Sequence, residues 1–183
     1  ALKSGKDFIF CASNQVRLDG GRKRKELLSV DRKKMLDESL FSLFYLNVIG
    51  HPSVVMHKRE ISIEYDATFN WVQDIDFYMR YLEAHPGYEY IPDTLVNIGK
   101  GSTQESNKYY KNINVELPEY FILLAKYEQG LSCRNEYVFH LIWNMVKRYK
   151  IKGIEQLYAK GYIGPKPCGL DEIIAYQEKI PGI

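Results

Sequence analysis

The sequence predicts an α/β chain, a mixed sheet flanked by helices and followed by a helical C-terminal extension. Three observations carry this reading. Residues 7–13, Asp-Phe-Ile-Phe-Cys-Ala-Ser, form a short and almost wholly apolar run, as in a strand buried on both faces. Val72, Ile75, Met79 and Leu82 recur at spacings of three and four, which puts them on one face of a helix over 72–84. From Pro118 onward the apolar spacing becomes helical and stays so.

Composition narrows the class. The chain has 183 residues, enough to bury a core in one domain or in one plus an appendage. Its 25 Lys and Arg against 23 Asp and Glu leave a net charge of +2, so no global field selects nucleic acid. Fifteen tyrosines suit either a surface that handles polar ligands or a Tyr-rich core margin. Cys11, Cys133 and Cys168 form no CxxC pair and no zinc pattern, so reduced thiols in a cytosolic protein are expected. No apolar run approaches the roughly 20 residues that span a bilayer.

In chain order, residues 1–6 read as a helix end stopping at Gly5, and the chain starts at Ala1, so a longer protein is expected. After the apolar strand, Gln15–Leu18 alternates and runs into a tight turn at Asp19-Gly20-Gly21. Residues 22–34 are strongly basic and read as a solvated loop leading into a helix, or as an attraction to anionic lipid or phosphate. A helix is expected over 35–48. Pro52 then forces His51 out of the helical region, and a strand is expected over 53–57. His85-Pro86-Gly87 stops the helix that follows. Residues 88–98 read as extended, with Pro92 at an edge or break, and 99–107 as a flexible loop.

The opening turn of helix 72–84 is the centre of the chain. Asn70 and Gln73 fit a capping box. Asp74 and Asp76 lie roughly 200° apart around the helix, so they serve different ends. Asp76 has Arg80 one turn on as an ion-pair partner. Asp74 has no such partner. It is either an acid favoured by the helix dipole or a general base.

Gln73-Asp74-Ile75-Asp76-Phe77-Tyr78-Met79-Arg80 resembles the acidic-helix motif of inverting family 2 glycosyltransferases, with Gln73 in place of the usual Glu. Further landmarks occur in the family's order: the apolar strand with Asp19-Gly20, His51-Pro52-Ser53, and Tyr90-Ile91-Pro92 leading to Leu95-Val96. The resemblance covers roughly residues 1–112. It implies an incomplete GT-A-like sheet over 1–115, the acceptor-side half, with 116–183 as the helical extension. It implies inverting sugar transfer from a nucleotide-sugar donor to a glycan or lipid-linked hydroxyl, with Asp74 as base. His51, Ser53, Trp71, Gln73 and Asp76 would line the donor and acceptor cleft, and Lys100 would meet a diphosphate. A divalent metal, Mg or Mn, is expected for the full enzyme. Its ligands would lie mostly upstream of Ala1, and none is assigned in this chain. The 183 residues alone are therefore expected to be inactive.

The implied setting is cytoplasmic, at the inner face of the membrane. Peripheral contact would come through the basic segment or through Trp143 and the basic end of its helix. Nucleic acid is not an expected partner, and the sequence carries no signal for an oligomeric state. The alternative reading is a noncatalytic module that binds a partner or a membrane surface.

Overall fold

The computed structural model describes residues 5–17, 21, 23–102, 104, 106–127 and 135–179. The expected helix end at 1–4 and the expected turn at 19–20 lie outside these. The chain divides into two compact units, Ala1–Asp66 with Gln73–Asn107, and Ala67–Val72 with Lys108–Ile183. The division falls at 107/108 instead of 115/116, and the segment just before the acidic helix goes with the second unit.

The first unit is built on β1 (Phe8–Arg17). Phe8, Ile9, Phe10 and Ala12 are buried, as the apolar run requires. One ten-residue strand replaces the two short ones expected. Its partner along one side is β4 (Glu89–Lys100), which runs parallel to it. Along the other side lie β3 (Val55–His57) and β2 (Lys23–Glu26), both antiparallel. The result is a small, open, mixed four-stranded sheet. The β1–β4 register shifts between Cys11 and Ser13, where Cys11 pairs Ile91 and Ala12 pairs Thr94. Pro92 falls in the skipped stretch. It has no N–H to give, and a bulge on an edge strand absorbs it.

The basic segment is thus partly a strand. Lys23–Glu26 pairs with Ser13–Val16, a pairing that four charged residues of low strand propensity do not announce. The helix expected over 35–48 is two: α1 (Val30–Glu38), capped by the Ser29 hydroxyl, and α2 (Ser42–Tyr45). Ser39 breaks them apart, because it turns extended and its Oγ accepts from Phe41 N–H at 3.2 Å. Pro52 opens a single 3-10 turn, Pro52–Val54, before β3, so the strand starts two residues later than expected. Helix α3 (Gln73–Ala84) buries Ile75, Phe77, Tyr78, Met79, Tyr81 and Leu82. Its rings meet β1, with Phe8 5.8 Å from Tyr78 and 5.2 Å from Tyr81. The segment after β4 is tied down by Asn107, whose amide donates to the carbonyls of Gly101 and Ser102.

Helix α4 (Ser106–Tyr109) spans the division. The second unit is helical: α5 (Ile113–Tyr127), α6 (Glu136–Tyr149), α7 (Ile154–Tyr158) and α8 (Leu170–Glu178). α5 begins five residues before Pro118, because Asn112 Oδ1 accepts from Asn114 N–H and starts it earlier. Asn135 caps α6 the same way, bonding Tyr137 and Val138 N–H. The core gathers Leu117, Phe121, Leu124, Ile142, Leu157 and Leu170. Buried Glu116 pairs with Arg148 at 2.5 Å and accepts from the Tyr149 hydroxyl.

Cys11 is a free thiol, whereas Cys168 is disulfide-bonded, which corrects the expectation of three reduced thiols. Wide sequence spacing carries no pairing signal, since bridging depends on distance in space. Among the described residues no helix is long and apolar enough to cross a membrane.

Candidate functional site

Asp74 sits in the first turn of α3. One carboxylate oxygen accepts from the Ile75 N–H at 2.9 Å, and the other accepts from the Asn47 amide at 2.9 Å. Desolvation pushes its pKa up to about 6, against the pull of the Ile75 and Asp74 N–H groups and of Asn47. A carboxylate with that value is still mostly ionised near neutral pH and holds a proton better than an ordinary aspartate does. That is the balance a general base needs.

The turn Asn47–Gly50 positions the site. Asn47 Oδ1 accepts from Gly50 N–H at 2.9 Å, and its amide also donates to the Gly50 carbonyl at 3.2 Å. Gly50 has φ +98°, a conformation that suits glycine. The same carbonyl accepts from the Tyr78 hydroxyl at 3.1 Å. Burial and the nearby Asp74 charge both push the Tyr78 and Tyr65 hydroxyls to higher pKa, so both stay protonated.

The next residue, His51, lies beside a second group. Lys100 Nζ is 3.4 Å from His51 Nε2. Burial and the Lys100 charge push the His51 pKa down, with Glu26 opposing, which favours a neutral ring whose Nε2 lone pair accepts a hydrogen bond from the Lys100 ammonium. A cavity of about 80 Å³ has Asn47, Gly50, Glu26, Ser13 and Arg32 in its wall, which does not include Asp74, His51 or Lys100.

Asp76 is 0 % exposed and salt-bridged to Arg80 Nη2 at 2.6 Å, while Arg80 also reaches the Glu64 carbonyl at 2.8 Å. Gln73 donates to the Asp66 carbonyl at 3.2 Å and closes the loop before α3. Ser53 is exposed in the 3-10 turn. Trp71 belongs to the second unit, with its ring 6.2 Å from Tyr110.

Residues 70–72 are held by a carboxylate that the sequence does not signal. In the second unit the Glu119 carboxylate, 6 % exposed, accepts from the N–H groups of Asn70, Trp71 and Val72 at 3.0, 2.7 and 3.2 Å. It also accepts from the Asn70 amide. The Asn70 side chain is thus a donor to Glu119. Asn47 was also missed as a site residue. Its signal is the Asn-x-x-Gly spacing of a side-chain-closed turn.

Among the described residues no group of three or more His, Cys, Asp or Glu is arranged to hold a metal ion. No protein-family model, curated protein or solved structure matches the chain.

Proposed function

We propose that the first unit is the acceptor-side part of an inverting nucleotide-sugar glycosyltransferase, with a GT-A-like sheet and Asp74 as general base. The observation that supports this most is the Asp74 carboxylate, largely buried, held by Asn47 and shifted to about 6. In this reading an acceptor hydroxyl donates to Asp74. As its oxygen bonds to the anomeric carbon, its proton passes to the carboxylate. The bond from that carbon to the donor phosphate oxygen breaks on the opposite face, and the nucleoside diphosphate leaves with inverted configuration at the sugar. Lys100, presented by His51, is a point charge available to the diphosphate. The acceptor is a glycan or lipid-linked hydroxyl, and the enzyme works at the cytoplasmic face of a membrane. No residue of this chain is assigned to the donor nucleotide or its metal.

The test is a donor screen on the full-length protein, following release of nucleoside diphosphate and the anomeric configuration of the product by NMR. Transfer with inversion supports the reading. Transfer with retention, or none from any nucleotide-sugar, favours the noncatalytic interaction module.

A further inference from the structure

The edge of the sheet at β2 combines two features that seldom coincide. Strand β2 pairs only with β1 among the described residues, so its other side is open. Lys23, Arg24 and Lys25 are exposed there, and Arg32 is exposed on α1. None of these four makes an ion pair among the described residues. By contrast Lys33 and Lys34 are neutralised by Asp37 and Glu38, at 2.6 and 3.6 Å. Between the unpaired cations stand Leu27, 51 % exposed, and Val30, 84 % exposed.

Edge-strand cations alone deter sheet pairing. Leu27 and Val30 work against that purpose, because they offer apolar surface at the same place. Basic residues with outward apolar side chains among them match a surface that is anionic at its face and hydrocarbon just beneath. Nucleic acid would reward aromatic rings between the cations, and residues 23–34 contain none. We infer that the β2–α1 edge docks peripherally on an anionic phospholipid bilayer, with Lys23, Arg24, Lys25 and Arg32 at the headgroups and Leu27 and Val30 inserted between them. This inference does not depend on Asp74 or on the transferase reading.

The experiment is co-sedimentation of the full-length protein with phosphatidylcholine vesicles, with and without phosphatidylglycerol. Binding is expected only to the anionic vesicles and is expected to weaken as salt rises. Each of Lys23→Ala and Lys25→Ala should lower it about five-fold. Val30→Ser should lower it at high salt as well. All three positions are exposed, and circular dichroism checks that the variants fold. Several results would overturn the inference: equal binding to neutral vesicles, no binding to either, or undiminished binding by the lysine variants. Self-association or nucleic-acid binding that the same lysine variants abolish, in place of vesicle binding, would also overturn it.

Discussion

The Asn47 amide donates to the Asp74 carboxylate at 2.9 Å across 27 residues of sequence. This bond ties a tight turn to the first turn of α3 and stabilises the ionised form of a carboxylate that burial pushes the other way. In the proposed reaction that contest sets the working pH.

Activity should follow it. Since the base must be ionised, kcat/KM of the full-length enzyme is expected to fall as pH drops through about 6. Asn47→Ala removes a bond that lowers the Asp74 pKa, so the falling limb should move to higher pH. A pH–rate profile of both proteins measures it.

Stability should respond with the opposite preference. Asp74 titrates at about 6 when folded and near 3.8 when exposed, so the folded state holds the proton more tightly. Its contribution is complete below about pH 3.8 and is lost as pH rises through about 6. Asp74→Asn should therefore be more stable than the parent at neutral pH by up to ~3 kcal/mol. The two should converge near pH 4. Denaturant melts across this range give the comparison.

In the second unit, Glu119→Ala would strip three consecutive N–H groups of their acceptor. A loss of about 3 kcal/mol is expected. Glu119→Gln keeps one acceptor oxygen and should lose less. Urea unfolding of the pair separates these cases.

Gly50→Ala tests the turn. An added Cβ meets only Val54 Cγ2, at 3.8 Å, so space is adequate. The φ of +98° is the difficulty, at roughly 1–2 kcal/mol. A thermal melt should show that loss. A wild-type melt would mean the turn relaxes freely.

The parts of this fold legible in the sequence are those governed by local pattern. The apolar run of β1, the apolar face of α3, the Asp76–Arg80 pair and the stops at Pro86 and Gly87 all follow from short-range spacing. What was not legible depends on partners distant in sequence. Lys23–Glu26 becomes a strand because β1 offers it an edge. Glu119 binds the backbone N–H groups of Asn70 and Val72 from 49 and 47 residues away, which no local rule announces. Of the candidate site, Asp74 was readable from its position and Asn47 was not, because its bond to Asp74 exists only in the folded chain. Asp76 shares the motif with Asp74 and pairs with Arg80, as their i,i+4 spacing announces.

The most direct measurement is sugar transfer by full-length Asp74→Asn beside the parent, with a melt to confirm folding. The account predicts a loss of at least about 100-fold in a protein that melts no lower than the parent. Transfer at the parental rate by a folded Asp74→Asn variant would contradict it.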